Sequence, residues 1–162
     1  MRSIAFKYLA KREYAPSELR EKLIQAHGFF PVEVDLLIDD LICQDILSEL
    51  RFVEIYLRSK ARRGYGPNYC RKMLLKLDIS SEKIDEGFAL AKIDWHEVKE
   101  KLKQKKLKEI EIKKAKALKA QGHKTEGRKI GTNQDARMNF NSEFKLNLEM
   151  HRLNQKLYKK GF

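Results

Sequence analysis

Cysteine is nearly absent: Cys43 and Cys70 are the only two in 162 residues. That excludes a disulfide framework. Each falls within an apolar helical pattern, so both thiols are expected to be reduced and buried rather than bridged or nucleophilic. Long apolar runs are missing too. No stretch approaches the ~20 apolar residues a membrane helix needs, and charges at Arg2, Lys7, Lys11, Arg12 and Glu13 interrupt any secretory-type segment near the start. A cytoplasmic protein with no membrane partner is expected. No glycine-rich run precedes a Lys-Ser or Lys-Thr pair, so a phosphate-cradling loop is lacking. His27, His96, His123 and His151 have no metal-ligand spacing with cysteines or acids. Asp39 and Asp40 are neighbours in sequence, which on a helix turns them about 100° apart rather than into a shared proton-transfer pocket. These absences point away from enzyme chemistry, and no metal or cofactor is expected.

Proline is also scarce, and its three positions are informative. Pro16, Pro31 and Pro67 each precede an apolar pattern of helical period, where a fixed φ and a missing N–H suit the first helical residue. Ala5, Tyr8 and Leu9 mark a helix before Pro16. The Pro16 helix carries Leu19, Leu23 and Ala26 inward and stops at Gly28. The Pro31 helix carries Val34, Leu37, Ile38 and Leu41. A second set repeats the plan. Ser48 caps a helix with Phe52, Ile55 and Tyr56, running to Gly64. Pro67 opens one with Cys70, Met73, Leu74 and Leu77, and Ser80 or Ser81 caps one with Ile84, Phe88 and Ala91. Tyr14-Ala15-Pro16 matches Tyr65-Gly66-Pro67, and Leu23 then falls on Leu74, so the chain contains an internal repeat of three helices.

Asp94 with Glu97 makes a capping-box-like start for a lysine-rich helix reaching about Ala120. Residues 122–142 hold three glycines and many polar residues and read as linker-like or disordered. Phe144, Leu148, Leu153 and Leu157 suggest one last amphipathic helix. The fold class is therefore all-α: tandem three-helix repeats forming an elongated curved helical array, with a basic helical and partly disordered C-terminal segment. The units are 1–46, 47–93 and 94–162, the last a degraded or inserted third repeat.

The formal net charge is +12, but it is unevenly spread. Residues 1–50 carry a net of −3 and residues 77–95 another −3. Residues 51–76 carry eight Lys/Arg against the single Glu54, and residues 96–162 a net of +11. Clustering of this kind attracts polyanions or acidic protein surfaces. The central block supplies the candidate binding residues Arg58, Lys60, Arg62, Arg63, Arg71, Lys72 and Lys76. Arg58 and Arg62 lie one turn apart on one helix, and Arg71, Lys72 and Lys76 lie on the next, so the two groups could converge. The competing reading is a solvated surface whose long stems cover apolar neighbours. Arg51 ranks lower, because beside Glu49 and Glu54 it reads as a structural ion pair. Tyr65, which Tyr14 repeats, reads as packing under its own turn rather than stacking on a base. Trp95 reads as an anchor between the second unit and the helix after it.

Several segments taken in order resemble the RecX family. The first is Leu9-Ala10-Lys11-Arg12-Glu13-Tyr14, followed by Glu18-Leu19-Arg20, Lys22-Leu23 and Gly28-Phe29. The second runs Leu47-Ser48-Glu49, Arg51-Phe52-Val53 and Tyr56-Leu57-Arg58-Ser59-Lys60, then Gly64-Tyr65-Gly66-Pro67. Asp94-Trp95 opens the third. Within that third unit the next turn falls either on Leu118 to His123 or, after a long insertion, on Leu157-Tyr158-Lys159-Lys160-Gly161-Phe162. The resemblance implies a regulator that binds the groove of the RecA–DNA filament, limits its growth and damps its ATPase and strand exchange; a monomer is expected. The central cations would then meet the RecA filament. DNA is a second possible partner: a general basic helical DNA-binding protein independent of RecA fits the same charge pattern, and the lysines of 99–129 suit sequence-independent, salt-sensitive binding.

Overall fold

Each proline does open a helix. In the computed structural model, which describes residues 1–121 and 148–162, the elements are α1 (Arg2–Leu9), α2 (Pro16–His27), α3 (Pro31–Cys43), α4 (Glu49–Arg62), α5 (Pro67–Leu75), α6 (Ser81–Ala91), α7 (Trp95–Gln121) and α8 (148–159). Among the described residues there is no strand, so the fold is all-α. The linker expected over 122–142, together with His123 and Phe144, lies outside those residues.

The ends of the helices follow local chemistry. Pro16, Pro31 and Pro67 occupy the first turn of α2, α3 and α5. Ser48 accepts a hydrogen bond from the Arg51 amide at the start of α4, and of the two serines at the start of α6 it is Ser80 that caps, accepting from Lys83. Asp94 accepts from the Glu97 amide at 3.0 Å and so starts α7. Gly28 ends α2 at φ +66°, a left-handed conformation that costs a glycine little.

Two apolar clusters hold the helices. The first gathers Ala5 of α1, Leu19 and Leu23 of α2, and Val34, Leu37, Ile38 and Leu41 of α3. The second gathers Phe52, Val53 and Leu57 of α4, Cys70 and Leu74 of α5, and Ile84 and Ala91 of α6. Burying each such large side chain contributes about 1.5–3 kcal/mol. Trp95 packs on this second cluster, its ring 5.7 Å from that of Phe88, which fits its reading as an anchor for α7.

The two clusters touch at the start of α2. Ala15 belongs to the second, and the Ser17 hydroxyl donates to the Leu77 carbonyl at 2.6 Å. Arg51 ties the same junction, with Glu13 and Asp45 as its carboxylate partners and the carbonyls of Asp45 and Ile46 as further acceptors. Arg51 is structural, as expected, but Glu49 and Glu54 are not its partners.

Three inward assignments need correction. Ile55 is 52% exposed, because α4 turns Phe52, Val53, Tyr56 and Leu57 inward to meet α6. Ala26 is exposed on the last turn of α2, beyond the reach of α3. Cys43 is exposed at the end of α3, where no later element covers it, whereas Cys70 is fully buried.

The C-terminal helix lies beside α7 and ends against the start of α5. Leu153 and Leu157 are buried, and Leu153 shares a hollow with Lys106 and Ile110 of α7. The α8 end closes like that of α4: the Phe162 amide donates to the Leu157 carbonyl as the Tyr65 amide does to Lys60, with Gly161 at φ +86° matching Gly64 at φ +72°. The segment 157–162 has this geometry; the other candidate turn, Leu118 to His123, lies partly outside the described residues.

Candidate partner-binding surface

Gly64 sets the geometry of a groove between α4 and α7. Its left-handed φ ends α4, and a β-carbon there would stand 3.2 Å from Leu102 Cδ1, so α7 passes close to the turn. The gap between α4 and α7 is a groove of about 410 Å³ with Ile93, Val98 and Leu102 on its floor. Arg58, Arg62 and Arg63 edge it from α4, and Lys101 and Lys105 from α7. No carboxylate among the described residues lines it.

The charges on this groove are unequally neutralised. Arg58 pairs with Glu54 at 2.6 Å one turn back, and Lys101 with Glu97 at 2.7 Å. Among the described residues, Arg62, Arg63 and Lys105 have no carboxylate within 4.0 Å. An apolar floor rimmed by free guanidinium groups suits carboxylates or phosphates, which a guanidinium can hold with two parallel hydrogen bonds.

The other predicted residues lie elsewhere. Lys60 is drawn over an aromatic group, its ammonium 4.9 Å from the Tyr56 ring centroid, 5.3 Å from Tyr65 and 5.9 Å from Tyr69. The Tyr65 and Tyr69 rings stack at 4.4 Å, so Tyr65 packs beside its own turn as expected. Burial pushes the Tyr56 phenol up and the neighbouring Cys70 thiol up to about 11. A cation held by three rings is engaged within the chain rather than turned to a partner.

Arg71 points to α6 instead, pairing with Asp85 at 2.6 Å while its guanidinium lies 5.1 Å from the Phe88 centroid. Lys72 and Lys76 border a separate hollow between α5 and the C-terminal segment, together with Lys159. The seven candidates therefore divide. Three share the α4–α7 groove, two the α5–α8 hollow, and two are engaged in packing or an ion pair. Lys101 and Lys105 are legible in the sequence only as part of a lysine-rich helix, and Lys159 only as part of the turn-like segment 157–162; its approach to α5 depends on the return of α8.

Among the described residues, no group of His, Cys, Asp or Glu is placed to hold a metal ion, and no helix is long and apolar enough to cross a membrane. No family model matches the chain. Curated relatives do. A protein of Haemophilus influenzae (strain PittGG) described as regulatory protein RecX is 39% identical over 110 residues, spanning 65% of this chain and 72% of the relative. A second regulatory protein RecX, from Mannheimia succiniciproducens, is 37% identical over 103 residues, spanning 60% of this chain and 67% of the relative. A third, from Halorhodospira halophila, is 34% identical over 95 residues, 59% of this chain and 58% of the relative. Similarity of this extent, carried on an all-helical fold, shows that the chain belongs to the RecX family of regulatory proteins.

Proposed function

We propose that this chain is a cytoplasmic, non-enzymatic, monomeric regulator of RecA: it binds the recombination filament, limits filament growth and damps ATPase and strand exchange. Its body is organised as three-helix units over 1–46 and 47–93, with 94–162 as a modified third unit. The α4–α7 groove is the docking surface, with Arg58, Arg62 and Arg63 meeting carboxylates or phosphates of the filament and Lys101 and Lys105 reinforcing them.

Family membership supports the partner class. The single structural observation that carries the site is the placement of Arg62 and Arg63, without acidic partners among the described residues, on the rim of an apolar-floored groove. Side chains packed only for stability would be neutralised, as Arg51 and Arg71 are.

Co-sedimentation with RecA filaments, paired with an ATPase assay, tests the reading. The wild-type chain should pellet with filaments and lower the ATPase rate. Replacing Arg58, Arg62 and Arg63 together with Ala should weaken both effects while circular dichroism stays native. Undiminished inhibition by a folded triple variant would refute the site, and failure of the wild-type chain to pellet with filaments would refute the partner.

A further inference from the structure

The hollow between α5 and α8 differs in character from the α4–α7 groove. Lys72 and Lys76 stand one turn apart at the end of α5, both exposed, and Lys159 faces them from α8. Among the described residues none of the three has a carboxylate within 4.0 Å, and no acid lines the hollow, which measures about 530 Å³. Three aromatic residues, Tyr69, Tyr158 and Phe162, share its lining with Asn68, Met73 and Gly161.

Tyr158 is the telling residue. It is 81% exposed, so its ring buries almost nothing, and among the described residues its hydroxyl has no hydrogen-bond partner. A large ring with neither packing nor bonding to hold it adds nothing to the fold. Its placement is nonetheless rigid. The preceding residue, Leu157, is buried, and two residues on, the backbone is pinned to α5: the Gly66 amide donates to the Lys160 carbonyl at 2.6 Å and the Asn68 amide to the Gly161 carbonyl at 3.3 Å. Lysines spaced around solvent-facing rings are what a flexible polyanion with exposed flat faces requires. A duplex hides the faces of its bases, and an acidic peptide has no use for the rings.

We infer that the α5–α8 hollow is a binding site for single-stranded nucleic acid, with Lys72, Lys76 and Lys159 on successive phosphates and Tyr158 stacked on a base. This site is separate from the α4–α7 groove and needs no RecA.

Fluorescence anisotropy of a labelled oligothymidylate, with oligouridylate as the ribose arm and no RecA present, tests it. The wild-type chain should bind single strands more tightly than a duplex of equal length. Tyr158→Ala should weaken that binding about tenfold, while Tyr158→Phe, which keeps the ring, should restore it. Replacing Lys72, Lys76 and Lys159 with Gln should make the logarithmic salt dependence shallower by about 0.7 for each phosphate no longer neutralised. A preference for either sugar supports the site, since both present the same phosphates and base faces. Equal affinity for duplex, displacement by polyglutamate at the same concentration as by oligonucleotide, or an unchanged affinity in Tyr158→Ala would overturn it, the last two in favour of an acidic protein partner. Because the assay omits RecA, its failure leaves the filament reading standing. Conversely, the Arg58, Arg62 and Arg63 variant should keep its dependence on Tyr158.

Discussion

Gly66 and Gly161 meet backbone to backbone. A β-carbon on Gly66 would stand 2.6 Å from the carbonyl carbon of Gly161, and one on Gly161 would stand 2.7 Å from Tyr69 Cβ. Only two glycines permit this approach, and it is what holds the end of α8 against the start of α5.

Gly66→Ala should therefore release the end of α8 rather than unfold the chain. The overpacked site costs about 1–3 kcal/mol, and detaching one short segment is the cheaper way to relieve it. Hydrogen exchange should show the amides of 157–162 losing protection while those of α1–α3 keep theirs. Unchanged protection over 157–162 would mean that the close approach is not what holds α8.

Gly87 plays the same part between α6 and α4, where an added β-carbon would come within 3.0 Å of Val53 Cβ. Gly87→Ala should cost about 1–3 kcal/mol by overpacking, although alanine is the better helix former. Val53→Ala alone should also destabilise, by about 1–3 kcal/mol from reduced burial. Together the two should cost less than their summed effects, because the shortened side chain makes room for the new methyl. Denaturant melts of the four proteins measure the cycle, and strict additivity would count against a direct clash.

Arg51 reaches two carboxylates and two backbone carbonyls across the junction of the two clusters. Its removal should lower stability by about 1–3 kcal/mol, since several charge-assisted hydrogen bonds disappear together and the partly buried Ile46 carbonyl is left without its donor. Arg51→Lys should recover little, because one ammonium cannot span the four acceptors that the planar fork reaches. On the proposed function, the folded Arg51→Ala protein should still pellet with RecA filaments as the wild-type chain does. Full recovery of stability by lysine would show that charge alone matters there.

The two thiols should differ sharply. Cys43 is exposed, whereas Cys70 is fully buried with its thiol pushed up to about 11 by loss of hydration, an effect the nearby Lys60 ammonium opposes only in part. At neutral pH a thiol-reactive reporter should modify Cys43 promptly and Cys70 only after denaturant is added. Mass spectrometry of the labelled peptides reads this directly. Rapid labelling of Cys70 in the native protein would contradict its burial.

Much of the helical plan is readable in the sequence because its causes are local. The starts at Pro16, Pro31 and Pro67 and the stop at Gly28 depend on one residue's own φ, and the caps at Ser48, Ser80 and Asp94 reach only three residues ahead. Sequence reasoning fails where the answer depends on a neighbour. Ile55 fits an apolar stripe on α4 as well as Val53 does, and only the position of α6 decides that Val53 is the one enclosed. Cys43 is different: two residues past Leu41, it sits about 200° round α3 from the enclosed row of Val34, Leu37, Ile38 and Leu41, so helical spacing itself places it outside.

The candidate site follows the same division. An excess of cations in residues 51–76 is a property of composition, and it is visible without a fold. Which cations remain without acidic partners is not. Arg71 finds Asp85, fourteen positions along the chain, and Lys60 is captured by Tyr65 and Tyr69 of the following turn and helix. Arg62 and Arg63 find no such partner among the described residues and join Lys105 instead.

By itself, then, the amino-acid order determined where helices begin and end and where positive charge accumulates, because dihedral preference and capping act over a few residues and charge is a simple count. Tertiary structure alone decided which helix faces are enclosed, which cations are neutralised, and that Lys159 and Tyr158 stand beside Lys72 and Lys76. Those outcomes rest on α6, α7 and α8 folding back on α4 and α5, and on the glycines at 66, 87 and 161 that let the backbones approach closely enough.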